Sequence, residues 1–236
     1  MQNDLASPMR TIAFITNKGG VGKTTLAASI AVAAANDGEK VIALDLDPQA
    51  LLLGWGQRRI AADARNAVLI EPLEHERLPR LQAILEGLAS VGFTLAVFDT
   101  AGADNASTRL LAEAADLCLL PARPSRMDVD STAATFRIAF LAKRQAAFIL
   151  NQCPTAYSST RTTGCAEGLT RLGVLAEPMV CARMDFQDAI GAGLGVTEYA
   201  PESRAAQEIR ALWSWIRVRL ENVKSKRPGT TGLAAA

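Results

Sequence analysis

From Thr16 to Thr25 the chain reads Thr-Asn-Lys-Gly-Gly-Val-Gly-Lys-Thr-Thr. Gly19, Gly20 and Gly22 let the backbone curl, with Val21 between them, until successive N–H groups face one anion. A helix starting at Lys23 would turn its positive end toward the same anion. The Lys23 ammonium could reach β and γ phosphates, the Thr24 hydroxyl could ligate Mg²⁺, and Thr25 continues the loop into the helix. Two further places offer carboxylates. Asp45 and Asp47 follow the apolar run Val41 to Leu44 and share a face of an extended chain, and Asp99 ends the apolar run Leu95 to Phe98. Nucleotide hydrolysis needs coordination of Mg²⁺ and a group that orients the attacking water, and these acids could divide the two tasks.

Such residues must sit at the ends of strands. Apolar runs at Thr11 to Thr16, Val41 to Leu44, Leu95 to Phe98, Leu117 to Leu120 and Ala146 to Leu150 read as buried strands. Between them lie helical stretches at Lys23 to Asn36, Leu78 to Ala89 and Asp128 to Lys143. The alternation predicts an α/β fold, a doubly wound and mostly parallel sheet flanked by helices, with ligands at the carboxyl ends of strands. One domain is expected over residues 9–224. After Asn151 come a Ser/Thr-rich loop, Thr155 to Thr163, a helix through Leu172, a Gly-rich segment, Gly191 to Gly195, and a last helix from about Glu202 to Lys224. Residues 225–236 read as a frayed tail.

The 236 residues are 49% hydrophobic and 21% charged, ordinary for a globular domain that needs no disulfide or metal staple. A net charge of +1 does not announce a nucleic-acid or membrane partner, so any such partner must come from local charge. No stretch reaches the roughly 18 apolar residues of a membrane span, and Met1 to Arg10 has no apolar run of signal-peptide length. A cytoplasmic location is therefore expected. Cys118, Cys153, Cys165 and Cys181 form no Cys-x-x-Cys pair and read as reduced and structural; His75 reads as a surface loop residue.

A conventional phosphate loop has Gly where this chain has Asn17. With Lys18 and Lys23 together, the segment matches the deviant Walker A motif and resembles the ParA/MinD family of dimeric ATPases. The resemblance spans roughly residues 10–220 and is greatest to the short ParA proteins of plasmid partition. It implies ATP and Mg²⁺ as ligands, slow and partner-stimulated hydrolysis, and a nucleotide-sandwich homodimer in which Lys18 reaches the partner's phosphates. It implies further that Asp47 orients water, that Asp45 is an outer-shell partner of the magnesium site and that Asp99 lies near the metal. Thr100 to Asn105 is similar to the family's second switch, although many members carry Pro where this chain has Ala101 and Gly102. Asp104 could cap the helix that follows and has no catalytic role. Asn151 could read the adenine edge or serve as a turn residue, and the segment from Tyr199 through Pro201 resembles the family's run past the base.

In the last helix Ala205, Ile209, Leu212, Trp213, Ile216, Leu220 and Val223 form a core stripe that excludes Trp215 and Val218. Arg210, Arg217 and Lys224 recur every seven residues, Arg219 adds charge, and residues 201–227 hold seven Lys/Arg against three Asp/Glu. This suits neutralisation of DNA phosphates without base reading, or an ordinary solvated helix face. The resemblance implies nonspecific DNA binding in the ATP state, nucleoid association and a ParB-type centromere-binding partner. The alternative is membrane-associated or protein-cargo positioning of the MinD type. No stable membrane association is expected, because the amphipathic helix is used as core and Pro228 to Ala236 lacks the residues of a lipid anchor. A redox enzyme on the same scaffold would need paired cluster-binding cysteines. A scaffold without turnover would not need the full set of Lys23, Thr24, Asp47 and Asp99.

Overall fold

The computed structural model describes residues 9–64, 68–102, 105–155 and 159–224. Asp104, the expected tail, part of the Ser/Thr-rich loop and the side chains of Val223 and Lys224 lie outside the described residues. The elements run β1 (Arg10–Phe14), α1 (Lys23–Asn36), β2 (Val41–Asp45), α2 (Leu51–Ala61), β3 (Val68–Pro72), α3 (Leu81–Ser90) and β4 (Leu95–Asp99). They continue through α4 (Asn105–Ala114), β5 (Leu117–Ala122), α5 (Arg126–Leu141), β6 (Gln145–Leu150), α6 (Thr160–Leu172), β7 (Val174–Leu175), α7 (Met184–Gly191), α8 (Val196–Tyr199) and α9 (Arg204–Lys224).

All seven strands are parallel, in the order β3-β2-β4-β1-β5-β6-β7. Strands buried on both faces read as unbroken apolar runs, which is why the five inner segments were visible in the sequence. The two edge strands were not. Val68–Pro72 carries Glu71 and ends in Pro, and β7 has two residues, so neither shows an apolar period. The expected helix from Leu78 starts differently: Pro79, which lacks an N–H, lies inside a 3-10 helix over His75–Arg80, and the regular helix begins at Leu81.

Alternate residues of each strand face two cores. Ile12 and Phe14 of β1 meet α1, α2, α7, α8 and α9; Ala13 and Ile15 meet α3, α4, α5 and α6. Helix α1 is buried nearly all round from Leu26 to Ala34, and its run of alanines lets the sheet and α9 approach it closely. Of the α9 core stripe, Ala205, Ile209, Leu212, Trp213, Ile216 and Leu220 are buried, and the Trp213 indole N–H donates to Asp37 Oδ2 at 2.9 Å. Trp215 is half-buried and Val218 exposed, as the period required.

The central position of β1 decides where the site forms. Register sets Phe14 beside Asp99 on one side and Leu119 on the other, and Asp45 beside Asp99 across β2 and β4. The loop leaving β1 therefore starts beside the end of β4, which carries Asp99, with Asp45 one strand further on at the end of β2. Because Leu212 is fully buried between α9 and the sheet, Leu212→Ala should lower unfolding free energy by about 2–5 kcal/mol in urea titrations, without changing the fold seen by circular dichroism.

Candidate functional site

The loop from β1 to α1 is shaped by glycine and braced by two amides. Gly22 has φ 90°, a left-handed backbone that glycine adopts without penalty. A Cβ there would also lie 2.4 Å from Asn151 Nδ2, so the position lacks room for a side chain. Asn151 is buried at the end of β6 and donates from Nδ2 to the Val21 carbonyl at 2.7 Å; Gln152 Nε2 donates to the Gly20 carbonyl at 3.0 Å. Asn151 thus braces the loop, a role the sequence did not disclose. The first turn of α1 has no side-chain cap and no acidic residue, which leaves its N–H groups for an anion.

Lys23 is buried, and its Nζ lies 3.4 Å from the Lys18 carbonyl. Burial lowers its pKa, while Asp99 and Asp47 favour the charged form. Asp99 is fully buried, and among the described residues neither carboxylate oxygen has a hydrogen-bond partner. Burial is the main cause that raises its pKa to about 7; the nearby Thr24 hydroxyl lowers it, and Asp45 raises it further. A carboxylate so placed, beside a hydroxyl and an ammonium, fits a hard divalent cation that accepts oxygen ligands.

Asp45 does something more local. Its Oδ1 accepts the Asp47 N–H at 3.0 Å and its Oδ2 the Leu53 N–H at 3.0 Å, so it ties the turn after β2 to the first turn of α2. Burial raises its pKa, against the lowering effect of those N–H groups. Asp47, half-buried, accepts the Gln49 N–H at 2.9 Å and lies within electrostatic reach of Lys23. The segment after Asp99 touches the loop directly: a Cβ on Gly102 would stand 3.2 Å from the Gly19 nitrogen.

Lys18 is held inside its own chain, with Nζ 3.2 Å from Asp128 Oδ1. Asp128 is buried at the start of α5 and also takes Arg123 Nε at 2.7 Å. Burial alone would raise Asp128, but Arg123, Lys18 and Ser125 more than offset it and hold the carboxyl at about 2.

A cavity of about 630 Å³ opens beside the loop, lined by Gly22, Thr25, Leu26, Asn151 and Gln152 on one side and by Cys181, Ala182, Arg183, Met184, Phe186, Gln187 and Ile190 on the other. An apolar, open-sided slot next to a phosphate loop suits a flat base. The second wall was missed by sequence reasoning, because nothing between Cys181 and Ile190 has a recognisable spacing. Glu208 of α9 holds that wall, accepting the Cys181 N–H at 3.0 Å and Arg183 Nη2 at 2.6 Å. Pro201 is not part of it; it is exposed before α9, and its carbonyl accepts from Arg210. Cys153 and Cys181 are free thiols on neighbouring segments whose backbones pair in a single parallel β-bridge, so these two cysteines are closer in space than in sequence.

The cations expected on one face of α9 are divided. Arg217 pairs with Asp37 at 3.0 Å on the α1 side, whereas the Arg219 guanidinium lies 3.3 Å from the centre of the Trp215 ring. That ring belongs to a groove shared with Glu177 and Pro178, beyond β7. Arg210 is exposed. Arg204, at the start of α9, is exposed and unpaired among the described residues, and it borders a second cavity of about 450 Å³ with Arg183, Ser159 and Thr162.

The family model of the CobQ/CobB/MinD/ParA nucleotide binding domain matches residues 12–209. The chain is similar to the maintenance of carboxysome distribution protein A of Gloeobacter kilaueensis, 40% identical over 122 residues, which are 51% of this chain and 52% of that relative. The matched stretch thus spans about half of that relative's length. It is 27% identical to protein virC1 of Rhizobium radiobacter over 177 residues, 72% of this chain and 76% of the relative. Its fold is that of Cyanothece McdA in an ATP complex, with a TM-score of 0.74 at 18% identity, covering 91% of this chain and 97% of the other.

Two outcomes follow from this geometry. Gly22→Ala should weaken binding of a fluorescent adenine nucleotide by at least about tenfold, because both the left-handed backbone and the contact with Asn151 forbid the methyl group. The depressed folded pKa of Asp128 contributes stability that is present above the ordinary carboxylate pKa and lost as pH falls from about 4 to about 2. In denaturant titrations across pH 2–5, Asp128→Asn should flatten this acid limb, by about 2 kcal/mol.

Proposed function

The chain belongs to the CobQ/CobB/MinD/ParA family of nucleotide-binding domains, and on that premise we propose that it is an ATPase acting as a dimerisation switch that positions or segregates a cargo. The observation that carries the reading is the meeting, at one end of the sheet, of the braced phosphate loop, buried Lys23, Asp47 and the unpartnered Asp99 carboxylate.

In this reading the loop N–H groups and Lys23 hold the β and γ phosphates, and the cavity toward Cys181 and Phe186 takes the adenine. Thr24 and Asp99 would hold Mg²⁺, and Asp45 would support them by fixing the turn that carries Asp47. When bound, the cation supplies neutralisation of charge that develops on the phosphate oxygens. Asp47 orients water in line with the γ phosphate. Lys18 leaves Asp128 to contact phosphates across a homodimer, and Thr100 to Gly102, packed on the loop backbone, respond to the presence of the γ phosphate. The turnover is slow and accelerated by a partner.

Nonspecific DNA is the proposed track, which would place the protein in the cytoplasm on the nucleoid. Exposed Arg204 and Arg210, with Lys224 further along α9, support it better than Arg217 and Arg219, whose guanidinium groups already have Asp37 and Trp215 as neighbours. Two such surfaces in a dimer would bind with greater avidity than one. A ParB-type centromere-binding protein is the proposed partner for a plasmid or chromosomal cargo. The carboxysome-distribution relative favours a second reading, in which the cargo is a protein body. Among the described residues no helix is long and apolar enough to cross a membrane, and the apolar stripe of α9 is already packed on the sheet.

The test is binding of Asp47→Ala protein to random-sequence duplex DNA over a salt series, with ATP-Mg²⁺ and with ADP. ATP-dependent binding that falls steeply with salt is expected, and Lys23→Ala should abolish it together with nucleotide binding. Equal binding in ATP and ADP would remove the switch. Absence of binding in both would turn the reading to protein cargo alone.

A further inference from the structure

Asp128 has more positive charge around it than one carboxylate requires. Its Oδ1 faces Lys18 Nζ at 3.2 Å and Arg123 Nη2 at 3.3 Å; its Oδ2 accepts from Arg123 Nε at 2.7 Å and from the Arg123 backbone N–H at 3.3 Å. The carboxylate side chain is 2% exposed, whereas those of Lys18 and Arg123 are 29% and 40% exposed. The acid is fixed in the first turn of α5, its own N–H donating to Ser125 Oγ at 3.2 Å, and the two cations approach it from the protein surface.

The two cations are not equivalent. Arg123 presents a planar fork that takes both oxygens. Lys18 makes a single contact through a flexible stem, next to the exposed tip of the phosphate loop at Gly19 and Gly20. A buried carboxylate cannot be left without a counter-charge except at high cost, so Lys18 by itself would be locked to Asp128. With Arg123 in place, Lys18 can depart and the carboxylate stays compensated.

We propose that Arg123 is a positioning residue that keeps Asp128 neutralised while Lys18 leaves it for a nucleotide phosphate on a second copy of the chain, and so sets how readily the ATP state dimerises. This rests on the reading of Lys18 as a group that acts across a homodimer. A merely structural Arg123 would stabilise the turn between β5 and α5 whatever the charge at position 128. A counter-ion role vanishes once that charge is removed.

Sedimentation equilibrium of the full chain with ATP-Mg²⁺, on the Asp47→Ala background, separates the two. Arg123→Gln should weaken ATP-dependent dimerisation by about tenfold while leaving the affinity of the monomer for nucleotide unchanged, and Arg123→Lys should recover most of the loss. Asp128→Asn should dimerise at least as tightly as the parent, and Arg123→Gln with Asp128→Asn should match it. A double variant as weak as Arg123→Gln, or an Arg123→Gln that dimerises like the parent, would overturn the proposal. The parent and Lys18→Ala test the reading beneath it: a parent that stays monomeric in ATP, or a Lys18→Ala that dimerises normally, would remove the dimer role of Lys18 and that of Arg123 with it.

Discussion

The planarity of the peptide bond makes two hydrogen bonds decisive for this molecule. In a trans peptide the carbonyl of one residue and the N–H of the next point in opposite directions. Gln152 fixes the Gly20 carbonyl and Asn151 the Val21 carbonyl, so the N–H groups of Val21 and Gly22 are aimed away from those two amides. The anion site is built before any anion arrives. It depends on β6 ending where it does, and hence on the β5–β6 register, which pairs Ala122 with Leu150 and lets the Asn151 N–H bond to the Ala122 carbonyl at 2.9 Å. A loop that is local in the sequence is held from the end of a strand more than a hundred residues away.

Three of the buried charges around this loop are held loosely enough to take a new partner. Lys23 is drawn to Asp99 and Asp47, Asp99 has no hydrogen-bond partner among the described residues, and Asp128 has two cations. A site with a fully satisfied acid would have no affinity to spare for a cation, and one with a tightly paired Lys18 would have no lysine to spare for a phosphate. Asp45 shows the contrast. Its oxygens are taken by backbone N–H groups, and its task is to fix the turn that carries Asp47.

What could be read in the sequence was whatever is written in short spacings. The loop, the strand-end acids and the inner strands were legible because a buried parallel strand and a phosphate loop each impose residue types on consecutive positions. Residues whose role comes from tertiary contact were not. Asn151 could be placed at a strand end, but its bond to Val21 follows from the order of β1, β5 and β6. The wall from Cys181 to Ile190 lines a cavity through folding alone, and Pro201, placed near the base by resemblance, lies outside that wall. In α9 the seven-residue spacing grouped Arg210, Arg217 and Lys224 on one edge. It could not reveal that Asp37, at the end of α1, would already face Arg217.

Helix α9 joins these findings. Its apolar stripe packs in the core shared with α1 and the sheet, and one turn of its other side meets the cavity beside the loop through Glu208. Arg183, held by Glu208, lines both the base cavity and the second cavity that Arg204 borders. A shift in the Cys181–Arg183 wall would have to break or carry with it the bonds to Glu208, and Arg204 and Arg210 stand within about one turn of that residue on the same rigid rod. Coupling between a nucleotide pocket and a distant surface requires an element that both sites touch and that moves as a unit. In this fold α9 meets the first condition by its contacts and the second by being one unbroken helix from Arg204 to Lys224.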